Sequence, residues 1–289
     1  MGVKGENMKH IYLNLKRFDI SPADGGVNRL APMADWGKTI VESAQEALKA
    51  YPDAEFVMYF PETHILSAAA ARTEGSPLQV GCQGVFRADT AVGGNFGAFT
   101  ANRTANAMKE AGCQSVLIGH CEERNDKMGI LAEAGVTGKR AAEAVNRILN
   151  REILCAQQAG LSVLYCIGEK SEEQSQWEAV LGAQLDQGLQ GADKSKIVIG
   201  YEPIWSIGPG KTPADKPYIE KIARFVKTCT GGMDVVYGGG LKQDNAAMLA
   251  SIPEIDGGLI ALTRFQGEIG FYPEEYLDII RIYMLNCAQ

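Results

Sequence analysis

The 289-residue sequence predicts an α/β protein made of one domain, an eight-stranded (β/α)₈ barrel. Three observations predict it. Eight short apolar runs recur along the chain, longer helix-like segments separate them, and polar residues follow several of the runs. Runs that are apolar throughout, without polar alternation, are how parallel strands read when helices cover their outer face.

The strands are expected at His10–Asn14, Glu55–Tyr59, Gln79–Cys82, Ser115–Ile118, Ser162–Cys166, Ile197–Tyr201, Asp234–Tyr237 and Gly258–Ile260. Three intervening helices are clear from their apolar spacing. Asp35–Ala50 carries Ile40, Val41, Ala44 and Leu48; Thr137–Ala159 carries Ala141, Val145, Ile148 and Ile153; the third is Tyr218–Thr228. Eight strands alternating with helices fit either a closed barrel or an open, doubly wound sheet. The polar residues choose the barrel. Asn14, His120, Glu169, Glu202 and Gly238 stand at or just after five different strand ends, and barrel sites are assembled in that way at the strands' C-terminal face. No Gly/Pro/Ser-rich linker or shift in composition divides the chain. Residues 1–8 read as an extension, with Met8 an alternative start.

Hydrophobic residues make up 46 % and charged residues 22 %, an ordinary globular composition. A net charge of −7 argues against a broad nucleic-acid surface. It leaves room for a small anionic ligand held by backbone N–H groups and one lysine. No apolar run approaches the length needed to span a membrane. The seven cysteines are scattered, odd in number and without a C-x-x-C pair, as expected of free thiols in the cytoplasm. A lone histidine is ordinarily a packed or surface residue, and His10 and His64 are read that way.

The richest segment runs from Gly200 to Pro213, G-Y-E-P-I-W-S-I-G-P-G-K-T-P. A glutamate closes a buried strand, Pro203 and Trp205 stiffen the chain beyond it, and Gly208, Pro209 and Gly210 make a compact tip ahead of Lys211 and Thr212. Such a tip can close backbone N–H groups over a phosphate. This segment resembles the catalytic glutamate and mobile lid of the triosephosphate isomerase family, and the resemblance extends over nearly the whole chain. Asn14-Leu15-Lys16 is similar to the family's Asn-Trp-Lys, and Gly119-His120-Cys121-Glu122-Glu123-Arg124 to its Gly-His-Ser-Glu-Arg-Arg. Gly97-Ala98-Phe99-Thr100 is similar to its interface loop, Cys166-Ile167-Gly168-Glu169 to strand five and Tyr237-Gly238-Gly239 to strand seven.

The resemblance implies a TIM barrel and a cofactor-independent aldose–ketose isomerase, with no metal. It would interconvert D-glyceraldehyde 3-phosphate and dihydroxyacetone phosphate through an enediolate. Glu202 is the implied base, made stronger by an apolar cover. His120 is the implied neutral acid at a helix start; this division of labour is a worked case for the family. Lys16 and Asn14 would stabilise the developing charge, with Cys121 and Glu122 supporting. Pro203, Ile204, Trp205, Ser206, Ile207, Pro209, Gly210, Lys211 and Thr212 are the implied lid. Gly208, Gly240, Ala261, Leu262 and Arg264 are the implied phosphate shell. Thr100 implies a homodimer.

Several positions depart from the family pattern. Gly240 replaces a serine, and Ala261-Leu262 replaces the glycine pair after strand eight, where glycines let the backbone approach a phosphate. Arg264 is either a compensating donor fork or a surface arginine. Pro209 has no N–H to give. The loop from Gly84 to Gly97 is longer than usual, and a second insertion spans Asp126–Gly138. The acid–base groups are intact while the binding shell is changed, so a four-carbon substrate such as L-erythrulose 1-phosphate or D-erythrulose 4-phosphate stands beside the triose. A non-catalytic sugar-phosphate sensor is the third reading, opposed by the joint presence of Asn14, Lys16, His120 and Glu202.

Overall fold

The structure is a computed structural model that describes residues 8–207 and 211–287. The extension before Met8 and the lid-tip residues Gly208, Pro209 and Gly210 lie outside the described residues. The elements run β1 (Lys9–Asn14), α1 (Trp36–Leu48), β2 (Ala54–Phe60), α2 (Ile65–Ala70), β3 (Leu78–Cys82), α3 (Ala105–Glu110), β4 (Ser115–Ile118), α4 (Cys121–Glu133), α5 (Gly138–Gln158), β5 (Ser162–Ile167), α6 (Trp177–Gly188), β6 (Ile197–Tyr201), α7 (Lys216–Thr230), β7 (Val235–Tyr237), α8 (Ala246–Ala250), β8 (Gly257–Ile260) and α9 (Pro273–Asn286). All eight strands pair in parallel with their sequence neighbours, and β1 pairs with β8 to close the barrel. No helix among the described residues is long and apolar enough to cross a membrane.

The strands fall within a residue or two of their expected positions. The helix expected at Tyr218–Thr228 begins earlier, because the Asp215 side chain accepts the Tyr218 N–H and Pro217 occupies the first turn, where a missing N–H costs nothing. The insertion expected after His120 is helical: α4 continues to Glu133, and a short turn then leads into α5.

Strand residues divide between two cores. Ile11, Leu13, Phe56, Met58, Val116 and Ile118 pack outward against the helices. Tyr12, Val57, Tyr59, Leu117, Leu164, Cys166, Val198, Val236 and Leu259 fill the barrel interior. Because side chains alternate along a strand, every strand but β3 feeds both cores; β3 gives Leu78, Val80 and Cys82 to the outer one, with Gly81 set close against the Tyr59 ring. Facing two cores is the physical reason for the continuous apolar runs. The long loop joining β3 to α3 has no regular structure, and exposes Val92 and Phe96.

The N-terminal mouth of the barrel is closed by charge. His10 faces Glu55 across the β1–β2 register. Its Nδ1 lies 2.7 Å from Glu55 and its Nε2 3.0 Å from Asp234, while Tyr12 donates to Glu55 at 2.8 Å. Burial on its own lowers the imidazole pKa, but hydrogen bonds from both nitrogens to carboxylates outweigh it and raise the value to about 9. Glu55 moves the other way: burial raises it, and its bonds to His10 and Tyr12 bring it below its ordinary value.

His10 is therefore held as an imidazolium in the folded chain. Its contribution to stability is complete below its unfolded pKa of 6.5 and is lost as pH rises through about 9. Urea midpoints measured across that window should decline in the wild type. His10→Gln should lower stability near pH 6 by about 3 kcal/mol and flatten the decline. A His10→Gln profile parallel to wild type would contradict a charged His10.

Candidate active site

Alternation of side chains carries the polar residues into the C-terminal mouth. Val198 points into the barrel, so Glu202, four positions on, continues the same face. Asn14 follows Tyr12 and Gly238 follows Val236 by the same step of two. Glu202 is 1 % exposed. A Cβ on Gly238 would lie 2.7 Å from Glu202 Cγ and 2.9 Å from the Tyr201 carbonyl oxygen, so a side chain there would displace the carboxylate.

His120 is brought in as the N-cap of α4. Its Nδ1 accepts the Glu122 N–H at 3.3 Å, which assigns the ring proton to Nε2 and describes a neutral imidazole. Nε2 lies 3.0 Å from Glu202 Oε1, off the line of a hydrogen bond, and Oε1 accepts none. The other carboxylate oxygen accepts the Cys121 N–H at 2.9 Å. Burial is the largest influence on Glu202 and raises its pKa, against the opposing effects of His120, the Cys121 N–H and Lys16. Cys121 Sγ lies 3.8 Å from His120 Nδ1, and burial pushes its thiol up to about 12, which makes it a poor nucleophile.

Lys16 has a backbone φ of +41°, a left-handed conformation that costs a non-glycine residue energy. Neighbours hold it there. Its N–H donates to Asn14 Oδ1 at 3.1 Å, and Gln83 Nε2 donates to its carbonyl at 3.1 Å and to that of Tyr59 at 3.0 Å. Lys16 Nζ then reaches Glu122 at 2.7 Å, so the expected cation and the supporting carboxylate are paired. Nothing in the sequence singles out Gln83, because a glutamine after a strand carries no signal without its spatial partners. Arg124, in the same motif as His120, has a role that only the structure reveals. It is buried, and donates to the carbonyls of Gly119 and Cys166, to Asn146 and to the Tyr165 hydroxyl, tying the His120 turn to β5.

Glu169 ties down the segment that follows β6. It is fully buried, and one of its oxygens accepts from Tyr201 at 3.0 Å, Trp205 Nε1 at 2.7 Å and Tyr218 at 2.9 Å. Pro203 opens a single 3₁₀ turn, Ile204–Ser206, closed by the Ser206 N–H on the Pro203 carbonyl. Ile207 continues extended, while Lys211 and Thr212 are exposed. The sequence marks Glu169 as a strand-end residue, but not as the common acceptor of three aromatic side chains.

The loops of the expected phosphate shell are built differently from one another. Gly240 has φ +98°, a backbone that suits glycine, and its carbonyl accepts from Asn245 at 2.9 Å. Beyond β8, Ala261 and Leu262 are half-buried, and Arg264 bridges Gly270 in a small antiparallel turn. The Arg264 guanidinium is committed to Glu275 on α9 and lies 3.7 Å over the Tyr272 ring. Thr100 is exposed on the long β3–α3 loop.

The fold and this mouth define a class: a parallel barrel whose strand ends gather a buried carboxylate, a neutral histidine and a strained lysine. A family model described as Triosephosphate isomerase matches residues 33–281. The triosephosphate isomerase of Parasynechococcus marenigrum is 34 % identical over 73 % of this chain and 79 % of its own length. That of Rhodopirellula baltica is 30 % identical over 78 % and 86 %. The crystal structure of triosephosphate isomerase from Bartonella henselae shares the fold, with a TM-score of 0.69 at 22 % identity, over 96 % of this chain and 99 % of that one. The chain belongs to the triosephosphate isomerase family and is an isomerase.

Gly238→Ala tests how tightly the site is packed. Its Cβ meets a backbone oxygen as well as Glu202, so the strain cannot be relieved by a rotamer change alone. The substitution should cost about 2 kcal/mol in chemical denaturation. An unchanged midpoint would mean that the carboxylate has room to move there.

Proposed function

We propose that the chain is a cofactor-independent aldose–ketose isomerase of short sugar phosphates, with D-glyceraldehyde 3-phosphate and dihydroxyacetone phosphate its default pair. The observation that carries the reading is a carboxylate raised in pKa by complete burial, set 3.0 Å from a histidine nitrogen whose tautomer is fixed by the helix behind it. Glu202 removes the proton from the carbon beside the carbonyl, and desolvation makes it a better base for that step. His120 Nε2–H donates to the carbonyl oxygen as the enediolate forms, then exchanges the proton between the two oxygens. Lys16 and Asn14 lie beside the developing negative charge and stabilise it. Proton transfer among these groups needs neither a metal nor a cofactor.

The Glu202–Cys121 hydrogen bond describes a resting carboxylate, which must leave that N–H to reach a carbon acid. Closure of the lid over the phosphate supplies the energy, using binding to the part of the substrate that does not react. The Glu169 cluster anchors the base of the lid through Tyr201, Trp205 and Tyr218. Gly208 and Gly240 offer phosphate-binding N–H groups, while Arg264 works through Glu275 by fixing the loop after β8.

A four-carbon ketose phosphate is a second reading, favoured by one feature. Half-buried Ala261 and Leu262, followed by the bridged Arg264–Gly270 turn, replace the glycines that would admit the phosphate closely. A pure sensor has no use for a buried base. A homodimer fits the exposed Thr100, Val92 and Phe96 on one long loop, since large apolar side chains at a loop tip are costly unless a partner covers them. Seven free cysteines fit a cytoplasmic enzyme.

Steady-state kinetics on glyceraldehyde 3-phosphate, L-erythrulose 1-phosphate and D-erythrulose 4-phosphate choose among these. A kcat/KM near ~10⁷–10⁸ M⁻¹s⁻¹ is expected for the preferred substrate, and turnover of none of them would sink the reading. Glu202→Gln should lower kcat by about 10³-fold with KM little changed. In the wild type, kcat/KM should fall on the acid side with a midpoint above the ordinary glutamate value of 4.5, because the base must be ionised and burial raises its pKa. A limb centred at or below 4.5 would assign the base elsewhere. Sedimentation should give a dimer, shifted toward monomer by Phe96→Asp.

A further inference from the structure

We propose that His120, Cys121 and Glu202 form a binding site for one thiophilic divalent cation, zinc fitting best, and that this cation holds the enzyme inactive. One ligand atom from each residue lies within 4.8 Å of the other two, the only such group among the described residues. A tetrahedral zinc ion with bonds of ~2.0–2.3 Å needs ligand atoms about 3.3–3.8 Å apart, so small side-chain shifts complete the triangle. The ligand types suit zinc: an imidazole, a thiolate and a carboxylate, with a fourth position left for water.

A second observation points into the same space. Glu202 Oε1 is buried, accepts no hydrogen bond, and sits 3.0 Å from His120 Nε2. A buried carboxylate oxygen without a donor costs energy, and a cation between it and the ring nitrogen removes that cost. Cys121 stands where the family pattern has serine, and only a thiol supplies the soft ligand.

The binding step balances. The zinc–sulfur bond forms as the S–H bond breaks, and the thiol proton passes to water. The imidazole proton moves from Nε2 to Nδ1, which gives up the Glu122 N–H bond that Nδ1 accepts in the structure and frees the Nε2 lone pair for the metal. Glu122 Oε2, 3.6 Å from Nδ1, turns to accept the relocated N–H, an outer carboxylate behind a metal-bound histidine. Lys16 opposes a second cation nearby, but its charge is already paired with Glu122. Zinc so placed occupies both proton-transfer groups. That inhibition rests on the function proposed above, whereas binding itself does not.

The test uses the full-length, metal-free protein titrated with ZnCl₂ by calorimetry, and with Co²⁺ as a spectroscopic probe. One ion per chain is expected, with a thiolate-to-cobalt charge-transfer band. Mg²⁺ should give no heat. Cys121→Ser should lose the band and bind zinc at least ~10-fold more weakly, since even outer-shell losses cost 10–100-fold. His120→Gln provides a second variant that should weaken binding while keeping the thiol. Wild-type isomerisation should fall in stoichiometric zinc and return with a chelator. Zinc binding that is absent, or unchanged by both substitutions, overturns the site. Stoichiometric binding through Cys121 in a chain that isomerises none of the three sugar phosphates keeps the site and removes the functional reading instead.

Discussion

Closure of eight parallel strands is the constraint on which everything else in this molecule depends. A closed parallel barrel has no free edge, and its strands face an inner and an outer core at once. Successive side chains therefore alternate between the two cores, and where the inner apolar layers end, the same alternation continues into polar residues. On β1 the inward series is His10, Tyr12, Asn14, passing from a charged mouth through an apolar middle to the site. On β6 it runs from Val198 to Glu202. The face that carries the candidate site is the continuation of the core's geometry.

The two mouths use polar groups in opposite ways. At the N-terminal end, His10 has a carboxylate on each nitrogen, and both ring nitrogens are paired. At the C-terminal end, Glu202 keeps one oxygen without a hydrogen bond while the other accepts the Cys121 N–H, and Lys16 sits at positive φ. Stability resides at the first mouth and unused interaction energy at the second. Around the second, Gln83, Arg124 and Glu169 restrain the strained parts, each by donating to or accepting from several partners. Their role is to keep the strain local.

Much of this was legible in the residue order. Strand positions followed from β-branched runs, because burial on both faces removes polar alternation. Asn14, Lys16, His120 and Glu202 stood out because each sits beside a strand end within a distinctive local pattern. Gln83, Arg124 and Glu169 were not legible as restraints. Their partners lie up to 69 residues away for Gln83 and 49 for Glu169, and nothing local distinguishes a glutamine that spans two loops from a solvated one. Arg264 shows the same limit: next to an altered phosphate loop it reads as a candidate donor or as a surface arginine, and only the structure reveals its pairing with Glu275, eleven residues on.

The sequence by itself determined the barrel, its strand positions and the candidates for the acid–base groups, because periodicity and short motifs are local properties of a chain. Tertiary structure decided which charges are neutralised and which are left available. It paired Lys16 with Glu122 and Arg264 with Glu275, fixed the His120 tautomer through a helix N–H, and gathered His120, Cys121 and Glu202 around one point. Electrostatic state depends on distance and burial in space, and neither can be read from order along the chain.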